Sequence, residues 1–307
     1  MKRSIKSALL VSAAFGFSLP TVFLVLPANA EIFSFNTGVV TNFMAAATQP
    51  ESAGKFEIES ADDFVTTGTQ TSITSATFTG LLPSGLTAAD IGAVTVEIYR
   101  VFPKDSDVGR TSGPPTFSTS AVPTRVNSPS DVALASRSTT TGDLGFSMSV
   151  LSPTFTVLNS VQPGGIHPKP GQTTGGDGAF TGQEVKFNVT FTTPFNLSAD
   201  HYFFVPQVEV TTLGSEFLWL SGTRPNPLFP TGFADLQSWT RDHFLDPDWL
   251  RIGTDIVGGS PAPTFNAAFT LAGVESPLPA ALPLFATGLA GLGLLRWRRK
   301  KKTAASA

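Results

Sequence analysis

Residues 93–102 read Ala93-Val94-Thr95-Val96-Glu97-Ile98-Tyr99-Arg100-Val101-Phe102. Successive side chains of a strand point to opposite faces. Val94, Val96, Ile98 and Arg100 therefore share one face, and Thr95, Glu97, Tyr99 and Val101 the other. β-branched and aromatic residues suit such a pleated, half-buried surface. Working outward, the pattern recurs. Ile73–Phe78 sets Ile73, Ser75 and Thr77 against Thr74, Ala76 and Phe78. Val185–Phe191 puts Val185, Phe187, Val189 and Phe191 opposite Lys186, Asn188 and Thr190. His201–Val210 and Glu216–Leu220 read as further strands. Phe56–Ile58, Phe64–Thr66, Phe146–Leu151, Phe155–Leu158 and Phe265–Leu271 give weaker patterns. Turn residues separate these segments, which predicts an all-β body: a single antiparallel β-sandwich, jelly-roll-like, over residues 31–275. Thr87-Ala88-Ala89-Asp90-Ile91 is expected to form one helical turn capped by Thr87. No repeat of fixed period appears, which argues against a solenoid or propeller. Two long Gly- and Pro-rich stretches, 109–131 and 159–182, are expected to cover an end or an edge of the sandwich.

Charge is strongly segregated along the 307 residues. Residues 1–30 carry Lys2, Arg3 and Lys6 and no acid; residues 276–307 carry six basic residues and no acid. The other 11 basic residues and all 23 acids lie in 31–275, a net charge of −12. Such a body has no basic surplus to neutralise phosphates, so a nucleic-acid partner is not expected. With no cysteine, disulfides, thiolate metal sites and a cysteine nucleophile are excluded. His167, His201 and His243 are the only histidines.

Both ends read as addresses. A basic n-region, an apolar stretch from Ala8 to Leu26, and Pro27-Ala28-Asn29-Ala30 make a secretory signal peptide over 1–30. Ala28 and Ala30 fill the small-residue positions before the cut, so Glu31 opens the mature chain. At the other end, residues 276–307 hold Pro277-Leu278-Pro279, an apolar run from Leu278 to Leu295, and the cluster Arg296, Arg298, Arg299 and Lys300, extended by Lys301 and Lys302. Eighteen apolar residues at about 1.5 Å each span about 27 Å, enough for a transmembrane helix whose basic end stays cytoplasmic.

This tripartite C-terminus resembles the PEP-CTERM sorting signal. Ser276-Pro277-Leu278-Pro279-Ala280 is similar to its VPLPA variant, with Ser276 where that variant usually has Val. The resemblance covers about 30 residues and implies an exosortase substrate of a Gram-negative bacterium. It implies passage through the secretion machinery, cleavage by signal peptidase, and transient residence in the inner membrane. After cutting near Pro277-Leu278-Pro279, the chain would reach the cell surface or the medium, associated with exopolysaccharide and biofilm.

Within the body, catalytic motifs are absent: no Gly-x-Ser-x-Gly, no phosphate-binding glycine loop, no His-Glu-x-x-His. Asp242, Asp246 and Asp248 fall in one short segment, and Asp105 and Asp107 in another. Such carboxylates either bind Ca2+ through oxygen or serve as ordinary turn residues. No other cofactor is expected. Asp62-Asp63 reads as a strand edge or turn. Trp239 and Trp249 flank the first acidic segment and either stack on sugar rings or fill the core. Trp219 alternates with Leu218 and Leu220 in a segment apolar on both faces, which predicts a central strand and a core ring. The function expected is a non-enzymatic surface or matrix protein. The alternatives are a carbohydrate-binding module and, third, a polysaccharide hydrolase built on two carboxylates.

Overall fold

The computed structural model describes residues 31–110, 125–167, 173–224 and 232–276. The strands are β1 (Glu31–Asn36), β2 (Val40–Ala47), β3 (Ile58–Thr66), β4 (Gln70–Leu82), β5 (Ile91–Arg100), β6 (Ala135–Ser138), β7 (Leu144–Val157), β8 (Ser160–Val161), β9 (Phe180–Leu197), β10 (Asp200–Val210), β11 (Leu218–Gly222), β12 (Trp239–Asp242), β13 (Leu250–Arg251) and β14 (Phe269–Ser276). They form two antiparallel-rich sheets in an all-β, sandwich-like body.

In the first sheet β4 is the hub. One of its edges pairs with β9, and β9 pairs with β7. Its other edge pairs with β14 from Gln70 to Phe78, then with β11 at Gly80 and Leu81. β14 carries β1, β11 carries β2, and β2 carries β8 in parallel. The second sheet runs β13-β12-β3-β10-β5-β6. The β5 alternation appears as read: Val94, Val96 and Ile98 face the main core, and Tyr99 a second cluster on the outer face.

Phenylalanine joins the sheets. Phe78 stacks on Phe187 with centroids 5.1 Å apart, and Phe269 of the first sheet stacks on Phe204 of the second at 5.0 Å. Trp219 packs edge-on against Phe204 and donates from its indole nitrogen to the Ala268 carbonyl at 3.0 Å. Phe217 and Trp219 belong to the main core, while Leu218 and Leu220 fill a cluster on the other face, so β11 is central as its pattern predicts. β4 and β11 approach so closely that a Cβ on Gly80 would lie 2.3 Å from the Phe217 ring and 2.5 Å from the Leu218 carbonyl oxygen.

Several expectations change. Of Phe56–Ile58 only Ile58 is strand; it opens β3, which runs unbroken through Phe64–Thr66, with Glu59, Asp62 and Asp63 between them buried within the strand. Asp62 and Asp63 are therefore in a strand and not a turn, at the part of its edge that β12 leaves unpaired. The two segments 146–151 and 155–158 fuse into β7, whose pairing with β9 slips around Ser152 and Pro153. Among the described residues no strand pairs with the other edge of β7, where a proline costs no ladder bond. Thr87 caps Ala88–Asp90 with a complete capping box, as its sequence predicts. The described part of 159–182 covers the edge of β2 through β8 and Asn159. The described part of 109–131 joins the end of β5: Ser130 donates to the Arg100 carbonyl, and Pro129 bridges Val101.

Candidate functional site

Among the described residues, three groups of polar side chains and an open cleft are places where chemistry could reside. The first group explains why β3 tolerates two adjacent aspartates. β12 pairs with β3 only as far as Ala61. Beyond that point Arg224, just after β11, takes the place of a strand: its guanidinium donates to the Asp63 carbonyl at 2.6 Å. It also reaches Asp63 Oδ1 at 2.7 Å, Asp235 Oδ1 at 2.9 Å and Asp62 Oδ2 at 3.2 Å. The carboxylates in turn accept from the chain around them, Asp62 from Ala267 N at 2.9 Å and Asp63 from Leu236 N at 3.1 Å. His201 Nε2 lies 2.6 Å from Asp63 Oδ2. Burial raises the Asp62 carboxyl well above its usual range against the opposing pull of Arg224. The cluster is a fastener that holds three loops to an otherwise bare strand edge.

The second group sits on the outer face of the second sheet. Tyr99 Oη lies 2.5 Å from Glu59 Oε1 and 2.9 Å from Glu97 Oε2, and accepts from Arg241 Nη2 at 2.9 Å. A phenol has one hydrogen and cannot donate to two carboxylates. The arrangement is complete if Glu97 carries its own proton: Glu97 donates to Tyr99, Tyr99 donates to Glu59, and Glu59 pairs with Arg241 Nε. Burial and then the Glu59 charge push the Glu97 carboxyl up to about 7. Burial likewise raises Glu57, whose Oε1 accepts from Gln207 Nε2 at 2.9 Å. Burial opposes the charge on Arg241, but Glu59 overcomes it and holds the guanidinium above its ordinary value. Glu59 is 3% exposed, so the pair can store a proton near neutral pH without presenting both carboxyls to a polymer.

The third group contains the aspartates singled out in the sequence. Asp105 is clasped by Arg100, Asp248 by Arg110, and Asp246 by Arg241 at 2.9 Å. Hydrogen bonds from Arg100 hold the Asp105 carboxyl below its usual range. Asp242 Oδ1 accepts from Phe244 N at 3.0 Å and Leu245 N at 2.9 Å, a side-chain turn, while burial raises its carboxyl. Asp107 Oδ1 accepts from Gly109 N at 2.9 Å. Each of the five aspartates thus has at least one carboxylate oxygen engaged by a guanidinium or a backbone amide. Among the described residues no group of three or more His, Asp or Glu side chains is placed to hold a metal ion.

Trp239 and Trp249 are 0% and 2% exposed, which corrects the expectation of a sugar-stacking platform on their faces. Each indole nitrogen donates to a carbonyl, of Leu236 and Ser130 respectively. Their rings are covered by arginines: Arg251 lies 4.7 Å over Trp239 and Arg241 4.3 Å over Trp249. A ring closed on both faces cannot stack on a sugar.

The exposed candidate lies on the first sheet. Its outer face carries a continuous cross-strand row, Asn36-Thr270-Thr77-Asn188-Ser147, that crosses β1, β14, β4, β9 and β7. Thr77 and Thr270 hydroxyls meet at 2.8 Å. The row toward the strand ends reads Ser34-Ala272-Ser75-Thr190-Gly145, and the one beyond Ile32-Val274-Ser72-Asn196, in which Ser72 and Asn196 hydrogen-bond each other beside two exposed apolar side chains. At Asn196 the face runs into a cleft of about 420 Å³ lined by Thr69, Gln70, Arg100, Asn196, Ser198 and Tyr202. Sequence reasoning missed this surface because Ser, Thr and Asn on one side of a strand look like ordinary solvated residues; the alternation of Val185–Phe191 was the available signal.

Ala28, Ala30, Pro277, Leu278, Pro279, Arg296, Arg298, Arg299 and Lys300 lie outside the described residues. Among the described residues no helix is long and apolar enough to cross a membrane; the apolar run 278–295 lies outside them. No family model, no curated protein and no solved structure matches the chain.

Proposed function

We propose that this chain is an exported, non-enzymatic cell-surface or matrix protein of a Gram-negative bacterium. In this reading residues 31–275 form a jelly-roll-like sandwich flanked by a signal peptide and a sorting segment. Signal peptidase cuts after Ala30, and exosortase cuts near Pro277-Leu278-Pro279. The mature protein then associates with exopolysaccharide.

The observation that carries this reading is the pair of terminal segments in the sequence: a basic n-region, an apolar stretch and Ala28-x-Ala30 at one end, and Pro277-Leu278-Pro279, an apolar run to Leu295 and a basic cluster at the other. Between them the described residues are all-β, with Glu31 of β1 opposite Glu275 of β14. The arginine-clasped carboxylates support a passive role, because groups locked in ion pairs are not poised for proton transfer to a substrate.

Intact mass of the protein from its native host, with fractionation into membrane, surface and medium, tests the reading. A mass for residues 31 to about 277 outside the inner membrane is the expected result. A mass still containing 278–307, found in the inner membrane, would overturn it.

A further inference from the structure

We propose that the outer face of the first sheet, together with the cleft at Asn196, binds an uncharged polysaccharide chain. This rests on the surface-protein reading above and adds the place and the class of ligand. Five strands at about 4.8 Å spacing carry the Asn36-to-Ser147 row over about 19 Å. Every side chain in that row ends in a hydroxyl or an amide. Such groups both donate and accept, as sugar hydroxyls do.

Three further observations restrict the partner. First, the rows from Thr77 toward Asn196 bear no charge; Lys186 and Glu184 lie one and two rows away on the far side. Second, the body carries a net charge of −12, which repels a polyanion and is indifferent to a neutral polymer. Third, the cleft offers Gln70 and Asn196 amides and the Thr69 hydroxyl beside Leu134 and Leu197. A few convergent polar groups next to apolar surface are what a ligand pocket needs. Arg100 is held by Asp105, so the guanidinium at the cleft wall is already neutralised by a carboxylate. The geometry suits a chain lying across the strands with one sugar unit in the cleft.

The test is affinity electrophoresis of the full chain, in mild detergent, through gels containing hydroxyethyl cellulose, dextran or alginate. Retardation is expected in at least one neutral gel and not in alginate. Asn188→Glu, in the centre of the row, and the cleft double variant Gln70→Ala with Asn196→Ala should each bind about tenfold more weakly. Ser84→Glu places the same new charge in an exposed turn away from the face and should bind as the parent does. Circular dichroism confirms that each variant is folded. No retardation in either neutral gel, equal retardation in alginate, or full retention by Asn188→Glu overturns the proposal. So does self-association of the parent that Asn188→Glu abolishes without any glycan effect, which would make the face a contact between copies. Fractionation of the same variants separates the two readings: a processed protein at the surface that ignores neutral glycan sinks only the binding face.

Discussion

Replacing Glu97 by Gln should remove a specific pH dependence from stability. Glu97 titrates at about 7 in the folded protein, against an ordinary value of 4.5. The folded state therefore binds this proton more tightly than the unfolded state between those values. The stabilisation is fully present below about 4.5 and is lost as pH rises through about 7. A shift of about 2.5 units corresponds to about 3 kcal/mol. Glutamine imitates the protonated form, since its amide can donate to the Tyr99 oxygen while Tyr99 still donates to Glu59. At pH 5 the variant should match the parent within about 1 kcal/mol. At pH 8 it should be more stable by up to about 3 kcal/mol, a rise in Tm of about 6–12 °C for a body of this size. Urea unfolding followed by fluorescence of the buried tryptophans reads the difference directly, and using the difference cancels the other titrating acids. Two outcomes refute the reasoning. One is a stability difference that stays flat from pH 4.5 to 8, meaning that Glu97 is ionised throughout. The other is a difference that shrinks as pH rises, meaning that the charged form is the one the fold prefers.

Further outcomes follow from the other clusters. Asp63→Ala leaves the buried Arg224 guanidinium short of its nearest carboxylate and should cost about 3–5 kcal/mol in urea unfolding; a loss below 1 kcal/mol would mean that the network contributes little. Gly80→Ala drives a methyl into the Phe217 ring and the Leu218 carbonyl, and should lower stability by about 1–3 kcal/mol, read as a drop in Tm. Chelation with EDTA, or addition of calcium, should leave Tm unchanged, because Arg100, Arg110 and Arg241 already hold the aspartates; a rise of several degrees with calcium would contradict that assignment.

Legibility followed the spacing of the contacts. β5, β9, β10 and β11 were readable because alternation is a local property and each strand buries the face its pattern marks. Trp219 was readable for the same reason. β3 was not. Its sequence, Ile58-Glu59-Ser60-Ala61-Asp62-Asp63-Phe64-Val65-Thr66, carries three acids, yet every residue is buried. What permits this is Arg224 and Arg241, about 160–180 residues away in sequence. The acidic segment at 242–248 was legible only in part: as a string it offers oxygen ligands or turn residues, and only folding brings Arg110 and Arg241 onto its carboxylates.

The amino-acid sequence by itself determined the all-β class and the exclusion of cysteine chemistry, and it carries the two terminal segments that read as addresses. These depend on composition, on period-two alternation and on short contiguous motifs, all of which exist before the chain folds. Tertiary structure decided that Trp239 and Trp249 are closed beneath arginines, that Glu97 and Glu59 meet at the Tyr99 hydroxyl, and that hydroxyls and amides from five strands meet in one row. Those properties belong to groups brought together across long loops. Burial then raises the cost of each unpaired charge, so the partner a residue finds, more than its own identity, sets what it can do.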